Sequence, residues 1–399
     1  FTVPSTSWSF WEIIMFEKRF KERLQMQREA GLYRNPPEVE ERDGKYLAVH
    51  GRKVLNFASN DYLGLGASKR LRERVSENFR KYGTTSSSSR LVCGHYSMIS
   101  RAEKAYARHF GYEDALFFPS GYQANLGVVS AFFGRGDTVV FDKHVHASTV
   151  KGMALSKAEF LGYRHNSMSH LRKRLEARKE EQVGLLTESL FSMDGDLLDL
   201  DGIRNLKETY GFLAVVDEAH AFGAIGDGGR GIGRSVADIA VGTFGKAFGL
   251  FGAFVLLPEG YKEYLFNFSS PLIYSTTLPE AHAASALDAL AIVTESEDER
   301  QVLHENSRLM KETLRSEGFR VSGDAHIVAV ELGDEGKAAR VARTLFETGI
   351  FAFPARYPTV PLGKAILRIS MTALHTKDDV AFFVETLKAV HESVEHQCK

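Results

Sequence analysis

The segment Asp238–Leu257, DIAVGTFGKAFGLFGAFVLL, is the most apolar and glycine-rich run of the chain, and a single lysine, Lys246, stands near its centre. The part from Ile239 to Leu257 is long enough for a membrane helix, but Gly242, Gly245, Gly249, Gly252 and a central ammonium argue against one. Strand, tight turn, strand fits better. Ile239–Val241 and Ala253–Leu257 are apolar runs of buried-strand length, and the glycines between them allow positive φ and close backbone approach. Lys246 is thereby placed on a crowded turn at a strand end. An amine in apolar surroundings loses part of its preference for the charged form, as a Schiff-base nucleophile requires. The alternative is a lysine that snorkels to the surface from a buried loop.

Around this run, residues 60–278 alternate helix and strand. Strands are predicted at Ala115–Phe118, Thr138–Phe141, Val183–Thr187 and Phe212–Val216, and helices at Ala67–Tyr82, Glu103–Phe110, Tyr122–Phe133, Leu171–Glu181 and Asp201–Tyr210. This is an α/β pattern: a mostly parallel central sheet with helices on both faces, whose ligands bind beyond the carboxyl ends of the strands. Residues 1–59 read as an N-terminal arm, with strand-like runs at Tyr46–His50 and Lys53–Phe57. Met15 opens an amphipathic helix with Phe16, Phe20 and Leu24 on one face, and is read as the native start, with residues 1–14 non-native. Residues 279–399 form a smaller C-terminal α+β domain. Its predicted helices are Ala281–Ser296, Glu299–Glu317, Lys337–Thr348 and Lys377–Glu392, and its strands Ile327–Glu331, Ile350–Phe353 and Ala365–Ser370.

The 399 residues carry 50 Lys plus Arg against 51 Asp plus Glu, a net charge of -1, so no global field favours nucleic acid or an anionic membrane. The basic residues of Ala67–Tyr82 alternate with Glu73 and Glu77 and read as a solvated face. Two cysteines, Cys93 and Cys398, form no disulfide framework or CxxC pair and suit a cytoplasmic location; no signal peptide and no membrane span is expected.

Two motif matches are discounted. Gly226–Gly231 satisfies GxGxxG but does not join a strand to a long helix, so a loop is expected. Asp217-Glu218-Ala219-His220 spells a helicase box, but no GxxxxGK[ST] phosphate loop accompanies it. What remains is a set of polar residues that each follow a predicted strand: Ser120-Gly121-Tyr122 opening a helix, His144 and His146, Ser189 and Ser192, Asp217 and His220, Thr243 and Lys246. A helix start offers N–H groups to a phosphate, Asp217 suits a cationic ring nitrogen, and Lys246 suits an aldehyde, which together describe a pyridoxal 5'-phosphate site without a metal.

The residues that carry this reading also carry a resemblance. SNDYLGL (Ser59–Leu65), SSRLVCG (Ser88–Gly94), PSGYQAN (Pro119–Asn125), HAS (His146–Ser148), FSMDGD (Phe191–Asp196), VVDEAHAFG (Val215–Gly223), GRG (Gly229–Gly231), GTFGKAFG (Gly242–Gly249), YSTT (Tyr274–Thr277) and LRISMTALHT (Leu367–Thr376) resemble the α-oxoamine synthases, fold-type I pyridoxal phosphate enzymes. The resemblance implies that Lys246 holds the cofactor and later acts as base at the amino acid's Cα. It implies that His146 stacks on the ring, Asp217 pairs with its nitrogen, and Ser192 and His220 lie near the ring oxygen. It places Gly121, Tyr122 and Thr243 at the phosphate, helped by Ser275, Thr276 and Thr277 of a second subunit in a homodimer, and gives Asn60 and Arg368 to the amino-acid carboxylate.

The implied reaction is a decarboxylative condensation of an amino acid with an acyl thioester, on CoA or a carrier protein. Three branches of the family compete. The N-terminal arm and HASTVKG favour alanine with a pimeloyl thioester, SSRLVCG resembles the branch using glycine and acetyl-CoA, and GYQANLG the branch using serine and a long acyl-CoA. Phe251 departs from the family, standing where many relatives have a small residue. Outside the family, the rivals are a non-catalytic paralogue and a metal hydrolase built on His144, His146, Asp217 and His220.

Overall fold

The computed structural model describes residues 10–178 and 182–396, with side chains from residue 15 onward. Helix α1 (Phe10–Glu29) leads to a meander, β1 (Val39–Asp43), β2 (Tyr46–Val49) and β3 (Arg52–Asn56), and to helices α2 (Lys69–Tyr82) and α3 (Ser97–Phe110). The alternation follows as β4 (Asp114–Phe118), α4 (Gly121–Phe132), β5 (Thr138–Asp142), α5 (Ala147–Leu155), β6 (Glu159–Tyr163), α6 (Met168–Glu176), β7 (Val183–Glu188), α7 (Leu200–Tyr210), β8 (Leu213–Asp217), β9 (Ile239–Thr243) and β10 (Ala253–Leu257). Helices α8 (Tyr261–Phe268), α9 (Ser270–Ile273), α10 (Glu280–Glu295) and α11 (Glu297–Ser316) come next. The chain closes with β11 (Val321–Ser322), β12 (Ile327–Gly333), α12 (Glu335–Glu347), β13 (Ile350–Phe351), β14 (Phe353–Ala355), β15 (Ala365–Ser370) and α13 (Lys377–His396).

The central sheet has the order β4-β10-β9-β8-β7-β5-β6, and β10 alone runs antiparallel to its neighbours. Its strands are apolar on both faces, as a sheet covered twice requires. Leu116, Leu186, Val215, Val241 and Val255 pack on one side, and Phe117, Leu185, Val216, Ala240 and Phe254 on the other. Side-chain caps start the helices: Ser120 Oγ accepts from Gln123 N–H at α4, Asp199 from Gly202 N–H at α7, and Asp334 from Lys337 N–H at α12. The C-terminal sheet is β11-β12-β15-β14, while β13 pairs with β3 of the arm, so the arm and the C-terminal part share the sheet β1-β2-β3-β13. Helix α10 is tied back to α2 and α3, by Asn78 Nδ2 to Asp288 (2.7 Å) and by Tyr106 Oη to Ala286 O (2.8 Å). Inside SSRLVCG, Arg90 is buried in an ion pair with Glu103, which also accepts Phe117 N–H at 2.9 Å.

The predicted strand-turn-strand is present, β9 and β10 pairing with Thr243 opposite Ala253. Phe244 and Phe248, on either side of Lys246, are fully buried, and Tyr106 meets Phe244 edge-on at 5.3 Å. The turn is closed by Leu250 N–H to Phe244 O (2.9 Å) and Gly249 N–H to Lys246 O (3.0 Å). Gly249 has φ +64°, and a Cβ there would lie 2.5 Å from Gly66 N. Gly252 has φ +100° and would bring a Cβ to 3.0 Å from Phe118 O. These glycines therefore serve contact between protein segments, the close backbone approach expected from the sequence.

Other differences are local. Helix α1 begins five residues before Met15, and its Phe16, Phe20 and Leu24 face is exposed in the single chain. β1 and the edge strand β6 were not anticipated. The predicted helix Leu171–Glu181 ends at Glu176, and positions 179–181, like residues 1–9 and Cys398, lie outside the described residues. Among the described residues no helix is long and apolar enough to cross a membrane.

Gly249→Ala should lower the stability of the apoprotein by about 3 kcal/mol, from left-handed backbone strain plus the forced separation from Gly66. Gly134→Ala, with nothing within 4 Å of the added Cβ, should stay within about 0.5 kcal/mol. Thermal unfolding of both variants beside the wild type measures the contrast.

Candidate active site

The carboxyl ends of β5, β7, β8 and β9 and the start of α4 converge on Lys246. Its Nζ makes no hydrogen bond or ion pair among the described residues. Burial pulls its pKa down, the Asp217 and Glu188 carboxylates pull it back, and Arg368 lowers it again, leaving it at about 8. Asp217, at the end of β8, accepts from two donors, Asn125 Nδ2 at 2.8 Å and Ala219 N–H at 2.9 Å. Asn125 also donates to Ser148 Oγ (3.0 Å), which lies 2.7 Å from His146 Nδ1. Ser148 N–H reaches the same nitrogen at 3.3 Å, so Nδ1 accepts and the ring proton sits on Nε2. Burial, offset by Asp217 and reinforced by Lys246, keeps His146 below the usual histidine range.

A second chain of bonds runs from β8 to β15. His220 Nδ1 lies 2.5 Å from the Tyr62 hydroxyl, which donates to Asn60 Oδ1 at 3.1 Å. Arg368 Nη2 donates to the same oxygen at 3.3 Å, and its Nε to the Ser192 carbonyl at 2.6 Å. Ser370 N–H to Phe57 O (2.7 Å) and Ala373 N–H to Tyr62 O (2.7 Å) bring the arm to β15, which is how Asn60 meets a residue 308 positions away. Burial first, then the Lys246 and Arg368 charges, holds His220 well below its ordinary pKa. Burial raises the Tyr62 hydroxyl to about 12 against the pull of Arg368.

Of the predicted site residues, the structure joins Lys246, Asp217, His146, His220, Asn60, Arg368 and the Ser192 backbone. A Cβ on Gly121 would lie 3.8 Å from Thr243 Cβ, so the start of α4 adjoins the end of β9. Tyr122 is exposed beside them. Ser275 and Thr276 lie on a separate loop, and Thr277 turns inward, its N–H bonded to Ser88 O (2.9 Å) and its carbonyl to Ser86 Oγ (2.8 Å). The helicase-like tetrad is divided: Glu218 points away from Lys246, accepting from Ser189 Oγ (2.6 Å) and Gly233 N–H (2.5 Å) and so tying β8 to the loop Gly226–Gly233. Gly226–Gly231 is a loop containing a single turn of 3-10 helix, as expected.

His144 belongs elsewhere. Its ring stacks on His165 at 3.9 Å and 8°, and its Nδ1 meets Asp194 at 2.8 Å. His144, His165 and Asp194 are the one group of three such side chains near enough to share an ion among the described residues, and it excludes His146, Asp217 and His220. Stacked parallel rings hold their in-plane lone pairs in separate planes, and His165 already bonds Asp142 (2.9 Å) and Asp196 (3.0 Å). Burial opposes charge on His165, but these two carboxylates overcome it and hold the ring at about 10. The arrangement is an ion-pair clamp between β5 and the Ser192 loop.

Four contributors were missed. Tyr62, Asn125 and Ser148 stand inside quoted motifs, but only their partners in space give them a role. Glu188 was lost because the predicted strand stopped at Thr187; its signal is a carboxylate ending an otherwise apolar parallel strand, directly opposite Asp217. The donor set fits pyridoxal phosphate: an anion fixed by two donors, a low-pKa amine without a partner, a neutral imidazole, and a helix start with adjoining threonine for a phosphate.

The description "Aminotransferase class I and II" matches residues 52–387 of this chain. An 8-amino-7-oxononanoate synthase from Chlorobaculum parvum is 38% identical, covering 93% of this chain and 97% of its own length. A serine palmitoyltransferase variant from S. paucimobilis, solved with a bound PLP-myriocin aldimine, has 28% identity and a TM-score of 0.88, covering 94% of this chain and 98% of that one. An 8-amino-7-oxononanoate synthase from Francisella tularensis has 31% identity and a TM-score of 0.75, covering 87% and 99%.

An aldehyde offered to the apoprotein should label Lys246 ahead of every other lysine. With the amine titrating at about 8, the labelling rate should rise about tenfold per pH unit below that value and level above it. Borohydride trapping followed by peptide mapping checks both the site and the midpoint.

Proposed function

Because the chain belongs to the aminotransferase class I and II family, and within it to the α-oxoamine synthases, which are pyridoxal phosphate-dependent acyltransferases, we propose that it condenses L-alanine with a pimeloyl thioester. The products would be 8-amino-7-oxononanoate, carbon dioxide and the free thiol, a step of biotin synthesis. The choice of substrates is carried by the 38% identity, across 93% of this chain, to an enzyme named for that product.

Pyridoxal phosphate, when bound, supplies an electron sink that makes the amino acid's Cα–H acidic. The roles proposed for this chain's residues follow from their surroundings. Lys246 holds the cofactor and, once freed by the incoming amino acid, is an amine of lowered pKa that takes the Cα proton. Asp217, anionic, faces the ring nitrogen, and His146, neutral, covers the ring. Ser192 and His220 serve the ring oxygen, and Gly121, Tyr122 and Thr243 the phosphate. Arg368, already fixed by Ser192 O and Asn60, offers its remaining N–H groups to the substrate carboxylate and orients the Cα–H bond that breaks. Ser275, Thr276 and Thr277 reach the phosphate from a second copy of the chain in a homodimer. In support of that assembly, Tyr274 is 82% exposed beside them and Phe16, Phe20 and Leu24 of α1 are uncovered.

A second reading, serine with a long acyl-CoA, is favoured by the higher TM-score to the serine palmitoyltransferase, 0.88 against 0.75. The purified protein, reconstituted with pyridoxal phosphate, is to be titrated with alanine, glycine and serine, and thiol release followed from acetyl, pimeloyl and palmitoyl thioesters. Turnover with alanine and the pimeloyl thioester is the expected result; turnover confined to serine and the palmitoyl thioester would replace it. In the same assay Arg368→Lys, which loses the planar fork, should raise the KM for the amino acid about tenfold or more while the absorbance of the lysine-bound cofactor stays unchanged.

A further inference from the structure

Glu188 is 2% exposed and ends β7, in register with Asp217 on β8. Residues paired across parallel strands turn their side chains to the same face, so two carboxylates share one buried corner beside Lys246. They are unequally served. Asp217 receives Asn125 and Ala219, whereas Glu188 has the His146 backbone N–H nearby as its one favourable dipole, and its Oε1 is buried with no partner. Two carboxylates this close do not both ionise in a dry site, and the negative charge settles on the one with more donors.

We propose that Glu188 is a positioning residue that works as a neutral acid, keeping its proton inside the buried corner so that Asp217 is the corner's one anion. The groups that face it agree. The carboxylates of Asp217 on β8 and Asp142 on β5 disfavour a further charge, and Lys246 from the β9–β10 turn and the His146 N–H dipole offset them only in part. Burial and the Asp217 charge together hold the Glu188 carboxyl well above the usual carboxylate range. A neutral Glu188 has a consequence for the amine. A second anion here would stabilise the Lys246 ammonium; with Glu188 neutral, Asp217 alone opposes the effect of burial and the amine titrates lower than the two carboxylates together would set it.

The inference rests on Lys246 as the cofactor's attachment point, and Glu188→Gln tests it with readouts that do not need turnover. Gln keeps the shape but cannot ionise. A carboxyl whose folded pKa is raised contributes its full stability below the unfolded value and loses it as pH rises toward the folded value. The E188Q apoprotein should therefore melt above the wild type by a margin that widens about 2 °C per pH unit above pH about 5. Its Lys246 labelling midpoint should coincide with that of the wild type, and its affinity for pyridoxal phosphate should stay within about threefold of wild type. A melting margin independent of pH, or a labelling midpoint lowered by a full unit, would show Glu188 to be ionised and overturn the proposal. Failure of E188Q and wild type alike to bind pyridoxal phosphate would instead discard the cofactor site, with the melting comparison still deciding the protonation of Glu188.

Discussion

The structure depends on keeping one amine dry. Phe244 and Phe248 sink into the aromatic cluster around Tyr106 and carry the turn between β9 and β10 down with them, so Lys246 is left only partly exposed. The glycines at 249 and 252 are what let that turn press against Gly66 and Phe118. Their left-handed backbone and the absence of a side chain are requirements of packing, and the lowered pKa of Lys246 follows from it.

Around that amine the protein rations charge. Asp217 is the anion because Asn125 and Ala219 fix it there, and Arg368 is the fixed cation because Ser192, Ser370 and Asn60 hold its fork. Every histidine near them is kept neutral by burial: His146, His220 and also His326, which packs on Tyr62 at 4.0 Å and is pushed down to about 3. A site with one fixed anion, one fixed cation and neutral rings can bind a zwitterion and a phosphate without neutralising itself first.

How much of this was legible in the sequence differs by residue. Continuous apolar strands announce themselves, and Ala115–Phe118, Thr138–Phe141 and Phe212–Val216 lie within a residue or so of their observed bounds. β6, EFLGY, was invisible because an edge strand is covered less fully and Gly162 interrupts its pattern. Lys246, Asp217, His146 and Arg368 could be named because each stands beside a local motif. His144 looked equivalent to His146, two positions away, yet its ring turns to His165 and Asp194, and nothing in the spacing distinguishes the two.

The sequence by itself determined the alternation of helix and strand, the turn that presents Lys246, and the polar residues at strand ends, because these are set by periodicity and by neighbours a few positions away. Only the tertiary structure decided which of those residues face one another. Asn60 meets Arg368 through strands added from the arm, Glu188 meets Asp217 through the register of β7 on β8, and Gly249 meets Gly66 through the docking of a turn. Protonation follows the same division. The sequence lists ionisable groups, but which of two carboxylates keeps its proton depends on burial and donor count, and both come into being when distant segments pack.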